Sequence, residues 1–589
     1  MKSILRFLSK KEWAMIAAIV AFTVVQVWLN LKLPEYTGGM TLVIQNTPNS
    51  TMSEVYWYGE RMLLCAVGSL AMAVPIGLLS SLVGASFAQR IRSLQYNKVN
   101  SFSMNEINKF SIASLVTRST NDMTQIQLVI TIGMQLIIYA PMLAVWAIIK
   151  IATNSSGMEW TVTTIIAMLG VAMMFSILVL KVIPRFRKMQ TLTDNINKAT
   201  RENLMGLPVV RAYNAEDYQE AKFERANEEL VGTQLYTARA MAVMMPCIST
   251  IIGLLMISIY WIGAVLINDA TPLEAGPLVA NMMVFSSYAM QIMMAFMMIM
   301  ILFIFMPRAQ VAAKRVNEVI NTEPSVKDGP LDDSGNSLKG EIEFRNVGFK
   351  YPGAADYVLK DVSFTAKQGE TIAFIGSTGS GKSTLINLLP RFYDATEGTV
   401  LLDGVDVREY KLESLYKKIG YIPQKSVLFT GTVTSNVAFG DNRNEEATED
   451  QVKEAVRIAQ GTDFVESMKD TYNSEIVRGG ANLSGGQKQR LSIARAVCRA
   501  PEIYIFDDSF SALDYKTDRA LRTALKKETK GITSMIVAQR IGTIMDADKI
   551  VVLDEGKVVG VGKHKDLLGA CEVYREIALS QLSEKELAI

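Results

Sequence analysis

The chain has 589 residues, with 60 Lys plus Arg against 58 Asp plus Glu, so a net charge of +2 names no polyanionic partner and excludes a nucleic-acid binder on charge. Charged residues are only 20% against 49% hydrophobic, and mean hydropathy is +0.20, which excludes disordered and collagen-like chains and points toward lipid. The cysteines (Cys65, Cys247, Cys498, Cys571) lack close spacing and His564 is the single histidine, which excludes a disulfide framework, a zinc site and most His-based chemistry.

In chain order, six long runs are free of Asp, Glu, Lys and Arg: Trp13–Leu31, Met62–Ala88, Met123–Ile149, Trp160–Leu180, Ala240–Asn268 and Ala275–Pro307. A helix needs about 20 apolar residues to cross ~30 Å of hydrocarbon, so each run is predicted to span a membrane. Lys2, Arg6, Lys10 and Lys11 precede the first run as in a signal peptide. No small-residue cleavage site follows, so a retained first helix is expected.

Basic residues set the orientation. Arg90, Arg92, Lys98, Lys109 and Arg118 follow span two, and Arg185 to Arg225 follow span four, whereas Asn154–Glu159 and Asp269–Glu274 carry no Lys or Arg. The N-terminus, both long connections and everything after span six are thus expected in the cytoplasm of a multi-pass cell-membrane protein. The long connections keep apolar residues at helical spacing, which predicts membrane helices that continue into the cytoplasm. Short docking helices are expected at their turns, near Phe102–Lys109 and Tyr213–Glu220.

After span six, a helical stretch (Gln310–Ile320) leads to Asn321–Gly340, rich in Asp, Ser, Gly and Pro, which reads as a linker. From Glu341, short β-branched strands (Ile372–Ile375, Ile503–Phe506, Met535–Ala538, Ile550–Leu553) alternate with helical segments. The expected fold is an all-α six-helix transmembrane domain (1–320), a linker (321–340) and an α/β P-loop ATPase domain (341–589).

The strand ending at Ile375 runs into Gly376, Ser377, Thr378, Gly379, Ser380, Gly381, Lys382, Ser383 and Thr384, the G-x-x-x-x-G-K-S phosphate loop in strand–loop–helix context. Its glycines let consecutive N–H groups face phosphate, Lys382 supplies charge near the β/γ-phosphates of ATP, and Ser383 offers a hydroxyl to Mg²⁺. Farther on, Ile503–Asp507 reads as a buried strand ending in a carboxylate suited to Mg²⁺. Between them lie Leu483, Ser484, Gly485, Gly486 and Gln487.

This ordered set resembles the ATP-binding cassette transporter superfamily, and six spans ahead of the cassette resemble an exporter-type half-transporter. The resemblance implies that Tyr351 stacks on adenine, that Gln424 contacts Mg²⁺, and that Ser511–Asp514 crosses a dimer interface. It also implies two cassettes facing head to tail, each ATP lying between one chain's phosphate loop and the other chain's Ser-Gly-Gly segment. The Ser484 hydroxyl, the Gly485 and Gly486 amides and a helix N-terminus would form the second anion site.

Two positions depart from the resemblance. The residue after Asp507, usually the glutamate that orients attacking water, is Asp508, one methylene shorter. A misplacement of about 1 Å at a reacting centre can cost on the order of a hundredfold in rate. The switch histidine is replaced by Gln539, which can still hydrogen-bond a γ-phosphate oxygen but cannot carry an imidazolium charge. His564 lies well beyond that strand and reads as a surface or structural residue. Both departures fall on the ATP site built from this chain's phosphate loop, so a poorly hydrolytic site is expected. A second half-transporter with competent residues would then complete a heterodimer, as in the asymmetric multidrug exporters of bacteria. Arg478 stands where the family often has an acidic residue, and nothing in the sequence explains it.

Span six holds Met282, Met283, Met290, Met293, Met294, Met297, Met298, Met300 and Met306. A methionine wall can re-pack around varied apolar ligands, and spans five and six carry no counter-ion for a small charged substrate. A lipophilic or amphipathic small molecule is therefore the expected cargo, with lipid or peptide export open and plain packing against lipid an equal account of the methionines. No peptidase segment precedes span one, which argues against leader-cleaving peptide export, and the membrane-first order argues against an importer. An ATP-gated regulatory or channel-like protein with little turnover is the alternative class.

Overall fold

The computed structural model describes residues 2–45, 51–153, 158–332, 339–440, 447–583 and 587. Most of the loop expected at Asn154–Glu159 and part of the linker, 333–338, lie outside them. The chain divides into two units, Met1–Val99 with Ala113–Thr322, and Asn100–Ile112 with Glu323–Ile589.

In the first unit every apolar run lies on a long helix: Lys10–Gln45, Met52–Asn100, Asn121–Ala152, Met158–Met205, Glu216–Asp269 and Pro272–Asn321. Among the described residues these are the six helices long and apolar enough to cross a membrane. At ~1.5 Å rise per residue, the 54 residues of Glu216–Asp269 extend about 81 Å, far more than the hydrocarbon requires. Pro34, Pro75, Pro141, Pro184, Pro246 and Pro307 put a proline inside each helix. Such breaks are tolerated in membrane helices where neighbouring helices and Ser or Thr side chains re-satisfy the freed backbone groups.

Pro272–Asn321 packs along Asn121–Ala152 and Lys10–Gln45, while Met158–Met205 pairs with Glu216–Asp269. One core gathers Val27, Leu143, Trp160, Ile259, Phe285 and Met293; another gathers Ile19, Val83, Phe87, Ile126 and Val316. Glu12, fully buried, accepts from Ser86 at 2.8 Å and Arg90 at 2.9 Å, so its charge is paired where it would otherwise be costly.

The first docking helix lies at Met104–Phe110, started by a Ser103–Glu106 capping box. It belongs to the second unit, where Asn108 Nδ2 donates to the Tyr393 hydroxyl at 3.0 Å and Ser325 N donates to Glu106 at 3.2 Å. The second differs from expectation. The short helix is Leu207–Ala212, and by Glu216 the next long helix has begun. Gly206 ahead of it and Pro208 in its first turn, a position where the missing N–H costs nothing, explain the earlier start.

The second unit has two main sheets. Strands Leu359–Ala366, Ile342–Phe349, Glu397–Leu402 and Val405–Asp406 form an antiparallel one. The other runs in the order Lys557–Gly562, Lys549–Asp554, Thr371–Gly376, Thr533–Val537, Ile503–Asp507, Ile419–Ile422, and all but its first strand are parallel. Every residue of Ile503–Asp507 is buried, as befits a central strand covered on both faces. Because these strands are parallel and in register, Val537 beside Asp507 and Ile422 beside Phe506, the residues leaving their carboxyl ends converge on one crevice.

Candidate functional site

Four segments leave that sheet edge together: the phosphate loop after Ile375, Gln424 after Ile422, Asp508 after Asp507, and Gln539 after Val537. The loop's curl depends on glycine. A Cβ on Gly376 would lie 2.0 Å from Leu553 O, and Gly381 holds φ +96° as it opens the helix Lys382–Ile386. Lys382 Nζ sits over the loop, donating to Gly376 O at 2.9 Å and Ser377 O at 2.7 Å.

Ser383 Oγ donates to Asp507 Oδ1 at 2.8 Å, so hydroxyl and carboxylate expected to share a cation lie side by side. Burial pushes both carboxyls, Asp507 and Asp508, above their ordinary value, and their adjacency adds to the effect on Asp507. Burial also holds the Lys382 ammonium below its usual range. Crowded, desolvated carboxylates beside a hydroxyl form a hard oxygen donor set, and the residues present fit a Mg²⁺ ion.

Asp508 is 8% exposed and adopts the left-handed backbone conformation, φ +48°. Its Oδ2 accepts from Gln539 Nε2 at 2.8 Å and from Gln424 Nε2 at 3.3 Å. Tyr351, expected on adenine, is half-buried beside the loop, its hydroxyl 2.9 Å from Thr384 Oγ1 and its ring edge-on to Phe349 and Tyr393. Ser509, which sequence reasoning missed, is fully buried and ties this strand end to its neighbour by donating to Ile422 O at 2.9 Å.

Leu483–Gln487 stand apart from this crevice, on a second hydrophobic core. Leu483 is buried there with Leu491 and Leu513, whereas the phosphate-loop helix packs through Leu385 and Ile386 into the first. Ser484 caps the helix Gly485–Cys498 in a capping box, accepting from Gln487 N at 3.3 Å while its own N donates to Gln487 Oε1 at 2.9 Å. The Ser484 hydroxyl proton stays free to donate, and Ser484 and Gly485 are exposed. His564 is not a surface residue: it is 6% exposed, with Nδ1 2.7 Å from the Tyr574 hydroxyl, so its role is structural.

The description "ABC transporter" matches residues 359–511, and "ABC transporter transmembrane region" matches 16–296. An uncharacterized ABC transporter ATP-binding protein of Mycobacterium tuberculosis is 37% identical over 576 residues, 96% of each chain. This chain belongs to the ABC transporter family. An ATP-dependent lipid A-core flippase of Pseudomonas fluorescens is 31% identical over 79% of this ABC transporter and 75% of its own length. The solved structure of a bacterial Atm1-family ABC exporter with ATP bound shares its fold, with a TM-score of 0.77 at 23% identity over 97% of this chain and 100% of that one. The chain is thus an ATP-binding, ATP-driven exporter of multi-pass membrane architecture, with the all-α then α/β order expected from sequence.

Proposed function

We propose that this ABC exporter chain is the weakly hydrolysing half of a heterodimer that moves lipophilic or amphipathic compounds out of the cytoplasm. Residues 376–384, Tyr351, Gln424 and Asp507 hold one ATP; Ser383, Gln424 and Asp507 hold its Mg²⁺, which supplies charge neutralisation for the phosphates. Leu483–Gln487 complete the partner's competent site. The N-terminus and residues 341–589 face the cytoplasm, and 1–320 carry the cargo path.

The observation that carries this reading is the engagement of Asp508. Its raised affinity for protons would by itself favour a base, but reach decides, because its carboxylate is one methylene short and held by two glutamine amides. To follow a water molecule toward a phosphate it has to give up these bonds, which weakens it as a base. The exposed, prepared Ser484 supports the second half of the proposal: a helix N-terminus with a spare hydroxyl proton awaiting an anion from another chain. For the cargo, Met283, Met290 and Met294 form an exposed stripe at helical spacing, while Met293 and Met300 are packed inside. The lipid A-core flippase relative adds weight to an amphipathic substrate.

The test is reconstitution with a half-transporter bearing an intact glutamate and histidine. Mutation of the partner's glutamate should abolish ATP turnover and transport, whereas Asp508→Glu should change both modestly. Brisk hydrolysis and transport by this chain alone would overturn the proposal. Nucleotide-driven conformational change with no transport would favour the ATP-gated alternative.

A further inference from the structure

The loop that carries Gln539 is short of hydrogen-bond partners of its own. It joins the strand Thr533–Val537 to the helix Ile541–Ile544, and Arg540, the residue before that helix, makes no side-chain cap. The first helical N–H therefore needs a partner from elsewhere, and the Gln539 carbonyl two residues before the helix finds its own in the same place. Both are supplied by one side chain 40 residues downstream. Gln581 Oε1 accepts from Ile541 N at 2.8 Å, and Gln581 Nε2 donates to Gln539 O at 2.8 Å. Only one orientation of an amide satisfies a donor and an acceptor together, so the bracket is specific to glutamine.

The bracket rests on a firm base. Gln581 follows the helix Glu572–Leu579 and its own N–H donates to Ala578 O at 3.1 Å. Tyr574 and Ala578 of that helix are fully buried in a core with Ile375, Ala538, Ile541 and Ile544. A shift of the C-terminal helix must therefore shift the Gln539 backbone, and with it the amide that donates to Asp508 at 2.8 Å.

We propose that Gln581 is a positioning residue for the ATP site, fixing the Gln539 loop by a two-point backbone clamp so that the C-terminal helix sets how long ATP stays on this chain's phosphate loop. The inference rests on the reading of Gln539 as a γ-phosphate contact. Each lost hydrogen bond in such a clamp is worth several-fold in an equilibrium.

The test measures dissociation of a fluorescent ATP analogue with Mg²⁺ from the full-length chain in lipid nanodiscs. Gln581→Ala should accelerate release by about threefold to tenfold. Gln581→Glu keeps the acceptor for Ile541 N but turns a carboxylate toward Gln539 O, so it should also accelerate release, and it carries the test if the alanine variant folds poorly. In a Gln539→Ala background, Gln581→Ala should add nothing, which a general loss of stability would not reproduce. An unchanged rate in Gln581→Ala and Gln581→Glu, or equal acceleration in both backgrounds, overturns the positioning role alone. No effect of Gln539→Ala overturns the γ-phosphate reading and this inference with it.

Discussion

Gln539 Nε2 donates to Asp508 Oδ2 at 2.8 Å, so the two residues that depart from the exporter pattern are hydrogen-bonded to each other. They follow the ends of adjacent strands whose last paired residues, Val537 and Asp507, face each other in register. One substitution shortens a carboxylate, and the other supplies an amide that holds it.

Residues in contact do not contribute additively. In the chain alone, Asp508→Glu should raise phosphate release only slightly, because Gln539 still engages the carboxylate, and Gln539→His should do little while the carboxylate is short. The double variant should exceed the product of the two, approaching on the order of a hundredfold over the parent, the scale on which about 1 Å of positioning acts. Steady-state phosphate release from the four proteins measures this directly. Independent, multiplicative effects would show that the contact is incidental.

Under the proposed function Ser484 has two separable duties. As a helix cap it stabilises the ATPase unit, and Ser484→Ala should cost about 0.5–2 kcal/mol through loss of the bond from Gln487 N. As the proposed anion donor it would serve a partner's ATP, so the same change should lower heterodimer turnover. Ser484→Asp keeps the cap but opposes phosphate with charge. It should melt like the parent by calorimetry while turnover falls further than in Ser484→Ala.

Much of this was legible before the fold was known. The six spans, the phosphate loop and the strands around it follow from charge-free runs and from β-branched stretches ending in glycine or aspartate. The second short helix lies earlier than expected because helical periodicity runs unbroken across that turn, and only Gly206 and Pro208 mark the break. The contact between Asp508 and Gln539 could not be read, since each was recognised singly and only strand order joins them. Gln581 left no signal, because a side chain bracketing a distant backbone has no motif. His564 looked exposed beside Lys563 and Lys565, but helical phase turns it inward onto Tyr574.

That burial has a pH consequence. Burial holds the His564 pKa below its ordinary value of 6.5, with Lys565 acting in the same direction and Asp546 opposing. A group whose folded value is depressed binds more protons when unfolded, so its contribution is intact above about 6.5 and is lost as pH falls below that value. The ATPase unit should therefore melt at progressively lower temperature as pH falls below about 6.5, and His564→Gln, which can still bond Tyr574, should flatten that slope. An unchanged slope would assign the acid sensitivity to the carboxylates.

Within the membrane unit, Glu35 accepts from Lys150 at 2.7 Å, and the Tyr288 hydroxyl lies 3.4 Å from the same carboxylate oxygen. The three residues come from three different long helices, Lys10–Gln45, Asn121–Ala152 and Pro272–Asn321. Glu35 and Lys150 lie just beyond the apolar runs Trp13–Leu31 and Met123–Ile149, so an unpaired charge here costs less than the about 2.5–3.5 kcal/mol of the centre of a spanning helix. Lys150→Glu and Glu35→Lys should each lower the melting temperature of the reconstituted protein and reduce transport, the first by juxtaposing two carboxylates, the second by gathering three cations with Lys32. Combining the two reversals restores the pair. It should recover most of the stability but not all, because Lys32, which pairs with Glu35 in the parent, would then face a lysine. Failure of the double variant to improve on the singles would mean that the bond follows helix packing rather than helping to fix it.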